Sequence, residues 1–559
     1  MRWFIGSSAL LFLLGCSGTP PADIVFRNGY FHTLNPQQTA ARAVAARDGV
    51  IVFVGATKNV HKWVGPETRV IDLDGAIGIP GLTDAHMHLS GVGRETMTLN
   101  LKGTESLTDL LRHIEDQRKK INPGEWIVGR GWNETHWTPP EFPTRHDLDA
   151  VAPKNPVWLS RVDGHGAVAN SEALRLAGIT AATQDPPGGE ILRSADGEAT
   201  GMLLDNAQDL VSRHLPSRGK DFLRRSLVRG AREYASRGWT AVQIAGTSWN
   251  ESELIETLVA QNEIPLRVYN AIMGPGADAE RLLNHGPTGI GRDSDFTRRT
   301  IKVSLDGALG SGGAALLENY SDRPGSGFLK HTDEVLLPML EKALRRGIQV
   351  EVHAIGDRAN RHILDLYEET FRRVPVSERK VADPRWRVEH AQIVSPVDIP
   401  RFARLKVIPS MQPSHAITDL HFAPSRLGAK RLEGAYAWRS FLDHGCIIPG
   451  GSDAPVEAGE PMVEFYAAVA RRDLKGFSGP GWHPEQAISR KEALKMLTLW
   501  PAQAAFEEAW RGSIELGKAC DLTFLSRDPL AVPLDEIPRI RCRMTVVAGK
   551  VVYDSRKPQ

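Results

Sequence analysis

The sequence predicts an α/β protein: a (β/α)8 TIM barrel with a large insertion after strand 1, plus a small β-sandwich domain made from both chain ends. Three observations carry this expectation. Short apolar strands and helical stretches alternate through the middle of the chain. Both ends share a different texture of alternating strands and tight turns. The middle, residues 79–505, is much longer than the roughly 250 residues typical of such a barrel, so it must carry an insertion.

The first barrel strand is read in AIGIPGLTDAHMH. WTAVQIAG, PLRVYNAIM, TIKVSLDG, IQVEVHAIG, WRVEHAQI, KVIPSMQP and CIIPGGSD supply the other seven. Helical stretches such as EVLLPMLEKALRRG separate several of them. The insertion is placed at about 100–215, a stretch rich in Trp, Gly and Pro. Residues 23–78 and 506–559 form the composite β-domain, with Asn-Gly and Asp-Gly turns between its strands.

The N-terminus reads MRWFIGSSALLFLLGCSG: an arginine, then an apolar run too short to span a bilayer. Its Leu-Leu-Gly-Cys ending resembles the lipobox of bacterial lipoproteins. Residues 1–16 are therefore expected to be a lipoprotein signal peptide, with Cys16 the lipidated residue and 17–22 a flexible tether. The implied location is exported and lipid-anchored to a bacterial membrane, on the periplasmic or outer-membrane face. The remaining Cys446, Cys520 and Cys542 show no CxxC spacing, which argues against a disulfide framework and a thiolate zinc site.

Lys and Arg number 68 against 67 Asp and Glu, so no basic excess suggests a nucleic-acid partner. Hydrophobic residues at 41% and charged residues at 24% fit a folded soluble body. A homodimer is left open.

In a barrel of this kind, chemistry sits at the C-terminal ends of the strands. Reading those ends gives His86 and His88 on strand one, Lys302, Ser304 and Asp306 on strand four, His353 on five, His390 on six and Asp453 on eight. Each alone has a structural explanation, such as a helix cap for Asp453. Together they would bury four imidazoles, an amine and a carboxylate on one face, which is expensive without pairing or a metal. Imidazole and carboxylate suit zinc and related divalent ions.

PGLTDAHMH, the later Lys, His and His on successive strands, and GSDAP are similar to the amidohydrolase superfamily. GRGWNETHW, RVDGHGAVANSEALRLAGI, KVSLDGALGS, VHAIGDRA, VEHAQI, SMQPSHAITD and GSIELGKACDLTFL resemble its YtcJ-like branch, whose relatives include N-substituted formamide deformylase. The resemblance covers essentially the whole chain after the expected lipid anchor at Cys16. It implies that His86, His88 and Asp453 bind one metal and that His353 and His390 bind a second. It also implies a carboxylated Lys302 bridging two Zn2+, with Mn2+ or Fe2+ as alternatives. A lysine buried beside cations favours its neutral amine, which can add carbon dioxide and become an anionic oxygen ligand.

The implied activity is hydrolysis of a non-peptide carbon–nitrogen bond in a small-molecule amide, N-formyl or N-acyl compound, by metal-activated hydroxide with Asp453 as the catalytic base. Alternatives are an aminohydrolase of cyclic amidines and a non-catalytic, lipid-anchored solute-binding protein. His165, Trp132 and His415 are candidate substrate contacts, Trp137 a further pocket wall, and Asp357 and Glu389 candidates to orient ligating histidines. One departure stands out. Gly312 and Gly313 occupy positions where relatives commonly carry Arg-Thr, which suggests a wider site or a lost anion partner.

Overall fold

The computed structural model describes residues 20–216, 219–479 and 482–557. The expected signal peptide, Cys16 and the expected tether at residues 17–19 lie outside the described residues. Ala22, at the end of the expected tether, is already buried, and its N–H donates to the Trp63 carbonyl at 2.8 Å.

Seven parallel strands form the central sheet, each beside the next in chain order. They are β1 (Leu82–Met87), β2 (Trp239–Thr247), β3 (Arg267–Gly274), β4 (Phe296–Ser304), β5 (Gln349–Ala354), β6 (Arg387–His390) and β7 (Ile408–Ser410). Parallel neighbours need crossovers, and helices such as Trp249–Ala260, Ala277–His285, Asp333–Arg346 and Asp357–Arg373 supply them.

The expected eighth strand departs from regular pairing. Residues 447–453 make a single bridge, Met411 with Gly450, yet the segment still ties the sheet together. Gly451 N donates to Met411 O at 3.1 Å, and Ala85 N donates to Gly450 O at 3.0 Å. Pro449 has no N–H to give, and Gly450 and Gly451 add no side chains, so a regular ladder does not form here.

Local sequence explains the layers. In β5, Gln349, Glu351 and His353 alternate with Val350, Val352 and Ala354. The apolar set packs under the helices, and the polar set turns into the barrel. The helix Asp333–Arg346 buries Leu336, Met339, Leu340, Ala343 and Leu344, the i, i+3, i+4, i+7, i+8 stripe of an amphipathic helix. It ends at Gly347, whose φ of +68° closes the C-terminus.

Between β1 and β2 the chain forms its own six-stranded sheet, from Leu99–Asn100 to Ala199–Asp205. The two chain ends build two further sheets. One has four strands, all from residues 24–72, and the other has six strands drawn from both ends. They share one core, in which the Phe26 and Phe524 rings lie 5.1 Å apart. Cys446, Cys520 and Cys542 are all free thiols. Among the described residues no helix is long and apolar enough to cross a membrane.

Candidate metal centre

His86 near the end of β1 and His88 one residue past it face the same way, with ring centroids 5.7 Å apart. Asp453 enters from the eighth segment. Its N–H donates to the His86 carbonyl at 2.7 Å, and its Oδ1 lies 3.0 Å from His88 Nε2 and 3.6 Å from His86 Nε2. Lys302 on β4 places Nζ 3.3 Å from His86 Nε2.

His390 closes β6 with φ +72°, and Asp453 has φ +55°. Left-handed backbone at residues other than glycine is strained and tends to be kept where it serves a site. At His390 the service is visible. Consecutive strand residues point to opposite faces, yet Glu389 and His390 both reach His86. Glu389 Oε2 is 2.5 Å from His86 Nδ1, and the His390 ring is 4.8 Å from the His86 ring. The positive φ breaks the alternation that would have turned one of them away.

Two trios have ligand atoms close enough to share an ion: His86, His88 and Asp453, and His390, His415 and Asp453. Asp453 belongs to both. His415, expected as a substrate contact, stands in the second trio, with Nε2 3.6 Å from Asp453 Oδ2. His353, expected as a ligand beside His390, packs its ring 4.4 Å from that ring. Its Nε2 instead faces Asp306 Oδ1 and the Gly307 carbonyl, each at 3.4 Å.

The donor set suits a metal. His390 Nδ1 and His415 Nε2 are buried with no hydrogen-bond partner, and Asp453 Oδ1 meets only His88 Nε2. Orphaned buried polar atoms are costly, and a cation shared by the His390, His415 and Asp453 trio would satisfy them. Protonation agrees. Burial holds the pKa values of His86, His353 and His390 well below the ordinary histidine value, which favours the unprotonated form a metal needs. Burial acts upward on Asp453, but His86 and His88 outweigh it and hold its carboxyl well below the usual range.

Glu389, anticipated as an orienting group, holds His86. Burial and then the nearby Glu351 carboxylate push its pKa up to about 8. Glu389→Gln is expected to weaken metal retention about 10–100-fold, read by competition with a chelator. Asp357 does not orient a histidine; it accepts from Leu317 N at 2.8 Å at a helix start. The carboxylate beside His353 is Asp306, pushed up to about 7 by burial. Asp84, given no role from sequence, accepts from Ser452 N at 2.9 Å, from Ser452 Oγ at 2.5 Å and from Tyr234 OH at 3.1 Å. It thereby ties the Asp453 segment to β1. Its position two residues before His86, on the same strand face, was the available signal.

A cavity of about 380 Å3 opens over this centre. His165 lines it, with Nδ1 2.6 Å from Asp205 Oδ1, a carboxylate that Lys330 also holds at 2.7 Å. Trp132 does not reach the cavity. It is fully buried in the core of the insertion, donates to the Leu159 carbonyl at 3.0 Å and packs against Trp137. A tryptophan after a strand can wall a pocket or fill a core, and here burying its large apolar face decided the matter. Trp132→Ala should therefore cost about 3–5 kcal/mol of stability, read by urea unfolding.

The glycine pair does not widen the site. Gly312 has φ +82°, and a Cβ there would lie 2.5 Å from the Arg323 guanidinium; one on Gly313 would lie 2.6 Å from Asp205 Oδ2. The two positions are small because those side chains fill the space. The cavity wall from this loop is Ala308, Leu309 and Gly310.

Residues 69–553 match the family described as "Amidohydrolase family". The chain is 32% identical over 539 residues to YtcJ of Bacillus subtilis (strain 168), covering 95% of this chain and 99% of that one. It is 29% identical to the N-substituted formamide deformylase of Arthrobacter pascens, covering 96% and 99%. Among solved structures it is similar to an uncharacterized metal-dependent hydrolase from Pyrococcus horikoshii, with a TM-score of 0.73, 25% identity and coverage of 91% and 99%.

Proposed function

The chain belongs to the amidohydrolase family, and on that premise we propose that it hydrolyses a non-peptide carbon–nitrogen bond in a small-molecule amide, N-formyl or N-acyl compound. The observation that carries this reading is the place of Asp453. Its carboxylate is shared by both ligand trios, held ionised, and lines the cavity.

Two divalent ions, Zn2+ in the first instance, would be held by His86, His88, His390, His415 and Asp453, with His353 beside them and a carboxylated Lys302 as the bridge. Bound there, such ions supply Lewis acidity toward water and the scissile carbonyl. The chain's own groups do the rest. Asp453 accepts the proton of the attacking water and returns it to the departing nitrogen, a shuttle that suits an ionised carboxylate. Glu389 fixes the orientation of His86. His165, braced by Asp205 and Lys330, contacts the substrate from the insertion side. The name of the Arthrobacter relative supports testing formamides first.

Cleavage is tested by offering N-formyl amines, N-acyl amines and cyclic amidines to the zinc-loaded protein. The expected result is release of a carboxylic acid and an amine in equal amounts from the first two classes. Release of ammonia from amidines alone would replace this reading with the aminohydrolase one. The Leu13–Cys16 sequence supports export and lipid anchoring at Cys16; Cys16→Ala should then move the protein from the membrane fraction to the soluble one.

A further inference from the structure

A second and larger cavity, about 1010 Å3, lies between the insertion sheet and the helices Leu89–Glu95, Gly219–Arg237 and Trp249–Ala260. Much of its wall is apolar, with Val128, Trp158, Phe222 and Leu254 facing it. Its charges are unbalanced. Glu95 is engaged by Lys102 at 2.8 Å and Glu253 by Arg281 at 3.1 Å. Arg94, Arg130 and Lys220 line the same space with no ion pair among the described residues, against Glu251 as the one lining carboxylate without such a partner. A cationic, apolar chamber suits an amphiphilic anion.

Arg130 is the cation best placed to receive it. One of its five N–H groups donates to the Val162 carbonyl at 2.8 Å, and its Nε is buried with no partner. A half-buried guanidinium with one neutral acceptor has unmet demand for a carboxylate, which it can take two-pronged. Burial lowers its pKa, while the charges of Asp453 and Asp163 act the other way.

The chamber lies beside the metal cavity, and no residue lines both. Strands Ile127–Trp132 and Val157–Arg161 pair in parallel, with Arg130 opposite Ser160. Val128, Trp158 and Ser160 line the chamber. Gly131 on the first strand, and Asn133 and Val162 just past the ends of the two, line the metal cavity. Arg130 lines the chamber side. On the barrel side, Gly91 lies close to the Asp453 segment: a Cβ there would lie 2.9 Å from Pro455 Cδ and 3.5 Å from His88 Cβ.

We propose that this chamber binds an apolar carboxylate, with Arg130 pairing the carboxylate and the apolar wall covering the rest of the molecule. It is a site of its own, beside the hydrolytic centre proposed above.

The test uses the full zinc-loaded protein and two probes, 4-phenylbutyrate and its uncharged amide, titrated by calorimetry. The wild type should bind the carboxylate about tenfold more tightly than the amide. Arg130→Gln should bring the two within about twofold, and Arg130→Lys should fall between. Leu254→Trp, which fills the chamber from the opposite wall, should weaken both probes. Equal binding of the two probes by the wild type overturns the proposal. So does a carboxylate preference that survives in Arg130→Gln, since that places the carboxylate on the metals. If the probes behave as expected but no amide is hydrolysed, the chamber assignment stands and the hydrolase reading falls.

Discussion

Asp453→Asn is expected to lower turnover by about 1,000-fold while leaving the fold intact. Asparagine has nearly the same shape and tolerates the left-handed backbone found here, φ +55°. The hydrogen bond from the residue 453 N–H to the His86 carbonyl, 2.7 Å, uses main chain alone and survives. What is lost is charge: the amide cannot take a proton from water, and it removes the one anion common to both ligand trios. Circular dichroism should match the wild type while the rate falls. A variant with full activity would remove Asp453 from the chemistry.

The second large effect is expected at Lys302. Its Nζ sits 3.3 Å from His86 Nε2 in a buried layer that also holds Glu351 and Arg387, its neighbours across β5 and β6. If this amine is carboxylated and bridges two ions, Lys302→Ala should lose one ion per chain and about 100-fold in rate. A short carboxylic acid such as propionate should then restore part of the activity, because it supplies the missing oxygen ligand. An unmodified lysine beside a single ion predicts unchanged metal content and no rescue.

How far the sequence discloses this site depends on how each residue is held. His86 and His88 are two apart at the end of an extended segment, so period-2 geometry alone sets them on one side. The alternation in QVEVHA likewise assigns Glu351 and His353 to the barrel interior. Strand spacing fails where the backbone leaves the regular region. Nothing in VEHAQI announces that His390 takes φ +72°, or that Glu389 and His390 therefore both face His86. It also fails beyond strand ends. His415 lies in the helix Pro413–Asp419 after β7, and the direction of that helix is set by tertiary contacts such as Ser414 N to Glu464 at 2.9 Å. Its place in the second trio was therefore not readable from spacing.

The alternation of strands and helices was legible because each element carries its own periodic stripe. The eighth segment was legible as apolar but not as irregular, since Pro449 and the two glycines matter only once neighbours demand a ladder. Trp132 and Arg130 show the same limit in one motif, GRGWNETHW. The indole went to the core of the insertion and the guanidinium to a cavity wall, and no local rule separates those outcomes.

The most direct measurement is a zinc titration of chelator-stripped protein, with bound metal and hydrolysis of an N-formyl amine followed together. Negligible hydrolysis is expected without metal, with a rate that rises until two ions are bound per chain. Hydrolysis that is equally fast in the stripped protein, or a chain that takes up no zinc, would contradict that expectation.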